Sequence, residues 1–309
     1  MTRASAPGKI ILFGEHAVVY GQPALAVPVP DLQAIAEVHA LPESMEGILI
    51  EAPDMGKEAW LRSLPEDDPL ARVIHLTFNA LSISPPALRL RITSTIPIAA
   101  GLGSGAAVSI AVIRALAIHM GKRLPIEQVS QLAFEVERIH HGSPSGIDNT
   151  VIAYNRPVWY QRGREPETFR LRNPLQLVIA DSGIHVPTSK PVSLVRERYT
   201  ITPESIQPLF DQIGRLARQA RKGLEQGDLA SLGSLMNENQ MLLRSLGVSS
   251  PILDQLISIV QEQGALGAKL SGAGMGGNII ALVHQEPQIM MQKLKLAGAS
   301  QVFYTRIEP

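Results

Sequence analysis

The chain has 309 residues, with 28 Lys plus Arg against 28 Asp plus Glu, so its formal net charge is zero. A nucleic-acid binder would carry a basic surplus; an anionic ligand must here be held by loops, helix ends and a few placed cations. No cysteine is present, which excludes disulfides, thiolate zinc sites and cysteine nucleophiles.

Residues 1–9 lack the apolar stretch of a secretory signal. The most apolar helix candidate, 106–120, is interrupted by Arg114 and falls short of the ~20 residues that a membrane span needs. A cytoplasmic protein is therefore expected, with neither nucleic acid nor membrane as a partner. Short apolar runs at 9–13 and 24–29 predict strands flanking Gly14-Glu15-His16. The Pro-, Glu- and Asp-rich stretch 41–69 reads as a hairpin and loop region. Leu88, Leu90 and Ile92 alternate with Arg89, Arg91 and Thr93, the period of a half-buried strand. That strand leads through Pro97 into Gly101-Leu102-Gly103-Ser104-Gly105 and an Ala/Val/Ile-rich helix. Pro125 opens a helical pattern on Ile126, Val129, Leu132, Ala133, Val136 and Ile139 that ends at Gly142.

A polar stretch at 162–174 separates two expected domains, 1–170 and 171–309, and 177–180 reads as a buried strand. An apolar stripe on Ile206, Leu209, Phe210, Ile213, Leu216, Ala217, Ala220 and Leu224 predicts a long helix. Further helices are expected at 229–246 and from Ser250-Pro251, an N-cap followed by a proline suited to the first helical position. The run from Lys269 to Asn278 is glycine-rich and precedes a strand at 279–283. Strands and helices mix without strict βαβ alternation, so the expected fold class is α+β.

Three segments point to chemistry. In the first, Lys9 enters a buried strand. An unpaired buried ammonium is costly, which implies a partner carboxylate or phosphate, unless the side chain snorkels to solvent. Glu15 and His16 follow in a turn between apolar strands, a setting that favours function over a surface role. In the second, 96–107, glycines allow successive N–H groups to converge on one anion, and the next helix adds its positive end. The segment is a phosphate cradle in physical terms, without the spacing of a P-loop or a dinucleotide fingerprint; a plain strand-to-helix turn is the alternative. Ser104 there could cap the helix, bind Mg2+, or do both. The third, 272–277, has four glycines in six positions, as expected of a backbone that closely approaches a ligand or another chain segment. Between the last two, Ser143-Pro144-Ser145-Gly146-Ile147-Asp148-Asn149 would aim the Asp148 carboxylate into a cleft or cap the next segment with it. Glu137 precedes Asp148 by eleven residues and would otherwise be a solvated neighbour of Arg138.

Jointly, and in this order, these segments resemble the galactokinase–homoserine kinase–mevalonate kinase–phosphomevalonate kinase (GHMP) superfamily over nearly the whole chain. Gly14-Glu15-His16-Ala17-Val18-Val19-Tyr20-Gly21 is similar to the mevalonate kinases, whereas galactokinases follow the Gly-Glu-His with Thr-Asp and phosphomevalonate kinases typically carry Gly-Glu-Tyr. Met236-Asn237-Glu238-Asn239-Gln240 and Leu246-Gly247-Val248-Ser249 resemble the same family's C-terminal helix region. The resemblance implies a two-domain fold with the nucleotide-phosphate loop in the N-terminal domain and the active site in the cleft. It implies ATP and Mg2+ as cofactors, and phosphorylation of the primary hydroxyl of mevalonate to mevalonate 5-phosphate, a step of isoprenoid precursor biosynthesis. By the same resemblance Asp148 is the catalytic base and Lys9 the catalytic lysine beside the substrate hydroxyl. Glu15, His16 and Thr188 fall at the substrate, though the stretch 186–190 aligns in two registers. Pro97, Gly101, Leu102, Gly103, Ser104, Gly105, Ala106, Gly272 and Gly274 fall at the nucleotide, and Glu137 and Ser104 at the metal. A homodimer is compatible with the resemblance.

Two positions depart from the family pattern. Gly105 stands where many members have a second serine, and Met275 where another glycine is frequent. A sister kinase for phosphomevalonate, galactose or homoserine is the enzymatic alternative. A non-catalytic sensor is the other, but it would be expected to have lost Asp148 or Lys9. Between Lys9 and Pro30 there is no Arg or Lys, and Glu15 counts there as an anion. A phosphate on the substrate would thus meet little compensation and one like charge, so mevalonate is expected over phosphomevalonate.

Overall fold

Runs rich in Val, Ile, Leu and Ala become strands in the computed structural model, and the amphipathic runs between them become helices. The structure describes all residues except 43, 98–99 and 142–144, and the backbone alone at 139–141. In chain order the first elements are β1 (Thr2–Phe13), β2 (Ala24–Ala40), β3 (Ile48–Ala52), β4 (Lys57–Trp60), α1 (Pro69–Leu81) and β5 (Leu88–Ser94). Helices α2 (Ser104–His119), α3 (Ile126–His141) and α4 (Ile147–Tyr154) follow, then strands β6 (Val158–Tyr160), β7 (Glu167–Thr168) and β8 (Leu175–Asp181). The remainder is α5 (Ser189–Ile201), α6 (Pro203–Gln226), α7 (Leu229–Ser245), α8 (Pro251–Glu262), β9 (Gly267–Ser271), β10 (Asn278–Val283), α9 (Gln288–Leu296) and β11 (Gln301–Ile307).

The chain divides into two compact units, one of Met1–Gly8, Asp31–Ile98 and Leu102–Asn155, the other of Lys9–Pro30, Ala99–Gly101 and Arg156–Pro309. In the first unit β2 pairs antiparallel with β5, from Ala34 opposite Ser94 to Ala40 opposite Leu88. Strand β5 runs parallel to β3, and β3 antiparallel to β4. Along β5 the side chains of Leu88, Leu90 and Ile92 are buried while Arg89 and Arg91 are exposed, as the alternation predicts. Helix α2 is apolar on nearly every face and sits among α1, α3, α4 and β5, the position that an all-round apolar helix requires. Its one guanidinium, Arg114, is half-buried and donates to the Ser5 carbonyl at 3.2 Å and the Ala153 carbonyl at 2.5 Å.

In the second unit the antiparallel sheet runs β11-β8-β10-β9. Strand β8 is buried almost throughout, and α8 packs against β9 and β10 while α7 packs on β9. The first residues of β2, Ala24–Ala26, pair here with β6, and β6 with β7. Both units mix helices with mainly antiparallel strands, so the fold is α+β. Among the described residues, no helix is long and apolar enough to cross a membrane.

Candidate active site

Strand β1 ends at Phe13, and Gly14 turns the chain with φ +99°. A β-carbon at Gly14 would lie 2.5 Å from Ala24 Cα, so only glycine fits there. The turn that follows is unusual. The Ala17 amide donates to the Glu15 carbonyl at 2.6 Å across His16, whose φ is 61° and ψ −51°. This is the rarer, strained form of the γ-turn. Holding a non-glycine residue in such a conformation costs about 1–3 kcal/mol and requires neighbours that over-determine it.

Those neighbours come from the far end of the sequence. His16 Nε2 donates to the Ala273 carbonyl at 2.8 Å, which fixes the proton on Nε2 and leaves Nδ1 as the acceptor nitrogen of the neutral ring. Burial lowers the pKa of His16, opposed by the hydrogen bond to Ala273. Glu15, 2% exposed, accepts from Lys269 Nζ on Oε1 and from Asn239 Nδ2 at 3.4 Å on Oε2. Lys269 is 0% exposed and donates also to the Leu270 carbonyl at 2.6 Å. Burial lowers its pKa, and the Glu15 carboxylate opposes that shift. Next along β9, Ser271 Oγ donates to the Ile11 carbonyl at 2.9 Å.

This pairing corrects the electrostatic reasoning from sequence. Glu15 is no isolated anion: its charge is balanced by a lysine 254 residues away. A lone lysine in an apolar run is the signal that singled out Lys9, and Ala268-Lys269-Leu270 carries the same signal. Lys9 itself is 4% exposed, so it does not snorkel to solvent.

The third glycine loop leaves β9 at Gly272 and enters β10 at Asn278. Its glycine content is explained in part by packing of chain on chain. A β-carbon at Gly274 would lie 2.1 Å from the Val248 carbonyl oxygen, and one at Gly276 would lie 2.2 Å from that of Ile184. Gly272 meets nothing within 4 Å. Met275 adopts φ 60°, with its amide donating to Val248 at 2.6 Å; a side chain thus occupies a left-handed position that glycine takes without strain. Asn278 Nδ2 donates to the Ala100 carbonyl, which ties the start of β10 to the residue before Gly101.

At the second segment, the N-cap of α2 is Gly103, with φ 76° and no side-chain cap. Ser104 is therefore the first helical residue and not the cap that its sequence position allowed. It is half-buried, as are Pro97 and Gly103; Leu102 and Ala106 are buried, and Gly101 and Gly105 are exposed. A β-carbon on Gly101 or Gly105 would meet nothing within 4 Å.

Asp148 is the second residue of α4, whose N-cap is Gly146 with φ 86°. It is half-buried and lies in the first turn, where the helix dipole favours a carboxylate. It does not cap the helix, the alternative left open by sequence. Its neighbours pin this turn: Asn149 Nδ2 donates to the Ser130 carbonyl at 3.1 Å and Oγ at 2.9 Å, and Thr150 Oγ1 donates to the Gly146 carbonyl at 2.7 Å. Ser143 and Pro144, which lead into the turn, lie outside the described residues. Glu137 is half-buried near the end of α3, and Arg138 bonds to Glu135 at 3.1 Å. Glu137 and Ser104 are both hard oxygen donors, the type that Mg2+ takes together with phosphate oxygens and water, so these residues fit that ion. Thr188 is exposed at the N-cap position of α5, with no side-chain cap.

Two family models match the chain: the GHMP kinases N-terminal domain at residues 69–156 and the GHMP kinases C-terminal domain at residues 220–299. The mevalonate kinase of Pyrococcus horikoshii is 36% identical over 96% of this chain and 92% of its own length. Among solved structures, L. major mevalonate kinase in complex with R-mevalonate superposes with a TM-score of 0.86 at 29% identity, covering 100% of this chain and 96% of that one. Methanococcus jannaschii mevalonate kinase gives 0.86 at 27% identity, covering 99% and 98%.

Proposed function

The chain belongs to the GHMP kinase family, in its mevalonate kinase branch, and we propose that it transfers the γ-phosphoryl group of ATP to the primary hydroxyl of mevalonate. The observation that carries the reading is the buried turn at Glu15–Ala17: the segment that resembles mevalonate kinases in sequence is held there by Lys269, Asn239 and the Ala273 carbonyl. Phosphoryl transfer asks a protein mainly for positioning and charge neutralisation. In this proposal the backbone from Gly101 to Ala106, with Pro97 and the N-terminal end of α2, receives the nucleotide phosphates; Gly272 and Gly274 are assigned to the nucleotide by the family resemblance. Mg2+ supplies charge neutralisation between the phosphates when bound, with Glu137 and Ser104 as its protein ligands. Asp148 accepts or orients the proton of the attacking hydroxyl. The family resemblance assigns Lys9 to the substrate hydroxyl and Thr188 to the substrate, and His16 Nδ1 is proposed to accept a hydrogen bond from the substrate. The proposed functional domains, 1–170 and 171–309, divide the chain by sequence and differ from the two compact units, the second of which includes Lys9–Pro30 and begins its long segment at Arg156; the proposed setting is cytoplasmic, and a homodimer is compatible with the proposal.

Discrimination against phosphomevalonate rests on a different balance from the one that the sequence suggests. Lys269 cancels Glu15, so this pair neither repels nor attracts a phosphate on the substrate. Exposed Arg196 is near enough to Tyr20 to offset part of the burial-driven rise in that phenol's pKa, and it is the basic residue to watch. A coupled assay of ATP turnover on mevalonate, phosphomevalonate, galactose and homoserine tests the reading. The highest kcat/KM is expected for mevalonate; a higher value for any other acceptor would reassign the substrate, and no turnover on any would favour a sensor.

A further inference from the structure

A whole ion pair buried at one junction calls for a reason, because stability does not supply one. Replacing such a pair with apolar residues of similar volume is often neutral or stabilising, whereas removing one partner strands a charge. The strand around Lys269 is apolar enough for such a replacement: Ala268 and Leu270 are fully buried. Glu15 and Lys269 nonetheless meet with side chains 1% and 0% exposed, and Asn239, itself 0% exposed, spends its amide on the remaining carboxylate oxygen.

What adjoins the pair is the strained γ-turn. Glu15 is its first residue and His16 its centre. The same short stretch, Lys269 to Ala273, grips both: Lys269 holds the Glu15 carboxylate, and the Ala273 carbonyl holds the His16 ring. Two ties from one segment to adjacent residues fix the imidazole in rotation as well as in place.

We propose that Lys269 is a positioning residue for phosphoryl acceptor binding, and that Glu15 is its anchor and not a substrate ligand. Together with Asn239 they hold the turn so that His16 Nδ1 faces the acceptor in one orientation. This inference rests on the assignment of His16 to the substrate pocket and deepens it.

The test uses the full chain with Glu15→Gln, Lys269→Met and the double variant Glu15→Met/Lys269→Met. Each is read by thermal unfolding, by kcat and KM for mevalonate and for ATP, and by the 15N shifts of His16, assigned with His16→Gln. Lys269→Met is expected to lower the melting temperature and raise KM for mevalonate about tenfold or more, with KM for ATP within about twofold. The double variant is expected to recover the melting temperature but not the mevalonate KM. Recovery of both would make the pair purely structural and overturn the proposal.

Glu15→Gln keeps the shape and removes the charge, so it serves where the double variant does not fold. A raised mevalonate KM with an altered His16 shift is expected, and wild-type values for both would overturn the proposal. A wild-type enzyme without mevalonate-dependent turnover would instead refute the substrate assignment. Positioning is then decided by the His16 shifts alone, unchanged in Glu15→Gln if it is wrong.

Discussion

The turn at Glu15–Ala17 and the glycine turn ahead of α2 are both assigned to ligands, yet they are built on opposite principles. The first is locked by side chains: a buried carboxylate, a buried ammonium, a buried amide and a ring bonded to a carbonyl. The second is open backbone, in which a β-carbon at Gly101, or at Gly105 in the first turn of α2, would touch nothing within 4 Å. The difference matches the ligands proposed for them. An acceptor chosen by shape and hydrogen bonds needs a preformed surface, and strain can be held there because the neighbours over-determine it. A polyphosphate needs converging N–H groups, which glycines supply best without side chains in the way.

Asp148 belongs to neither device, and its replacement carries the largest expected effect. Asp148→Asn keeps the shape of the α4 first turn, which Asn149 and Thr150 pin independently. Turnover is expected to fall by ~10² or more, within the range for loss of a positioned base, with little change in ATP binding. Steady-state kinetics and nucleotide titration check this together. Turnover like that of the wild type would remove Asp148 from the chemistry.

The same contrast between packed and open backbone separates two glycines assigned to the nucleotide, and it shows in what a methyl group does to each. Gly274→Ala would place a β-carbon 2.1 Å from the Val248 oxygen at φ +85°, and a loss of about 3 kcal/mol is expected from the clash and backbone strain. Gly105→Ala meets open space and should stay within about 0.5 kcal/mol. Equal denaturation midpoints for the two variants would erase the distinction drawn here.

Much of this was legible in the sequence where a period or a glycine cluster carries the information. The alternation at Leu88–Thr93 and the stripe from Ile206 to Leu224 became β5 and α6. Strand β2 was legible only to residue 29, because Pro28, Pro30 and Asp31 read as a stop. The strand instead continues to Ala40 and changes character, from burial of every residue in Ala24–Val29 to alternation after Leu32. Helix α5 buries only Pro191 and Val195, too few for a stripe to show. At the candidate site, the buried turn at Glu15 and His16 was legible from its setting between strands. Lys269 carries the lone-lysine signal that singled out Lys9, but its pairing with Glu15 was not legible, since no local window contains both residues. The γ-turn was hidden for a different reason: no residue type announces a left-handed histidine.

A smaller effect separates the locked turn from the rest of the protein by pH. Burial lowers the pKa of His16 below its ordinary 6.5, so between 6.5 and that lowered value the unfolded chain binds the extra proton. The contribution of His16 is fully present above pH 6.5 and is lost as pH falls through the folded pKa. Its slope is at most about 1.4 kcal/mol per pH unit. His119 in the other unit is shifted in the same direction by its own burial, so the wild-type slope contains both. The difference between wild type and His16→Gln isolates His16: unfolding free energies from pH 7 down to 5 should fall less steeply in the variant. Parallel curves would mean that the ring does not titrate with folding.

The smallest structural effect is expected where the open loop departs from its relatives. Gly105 is the second residue of α2, it is exposed, and its β-carbon site is empty to 4 Å. Gly105→Ser restores the hydroxyl frequent in the family, and serine is a better helix residue than glycine by a few tenths of a kcal/mol. Stability should therefore hold or rise slightly. What should move is the metal dependence, since a second hydroxyl beside Ser104 can take the place of a water in a coordination sphere that normally keeps several. Half-saturation by Mg2+ at fixed ATP is expected to shift to lower concentration, with the fold intact by thermal unfolding. A collapse in stability with an unchanged Mg2+ curve would show that this loop position is set by packing, and that its openness is unrelated to the ion.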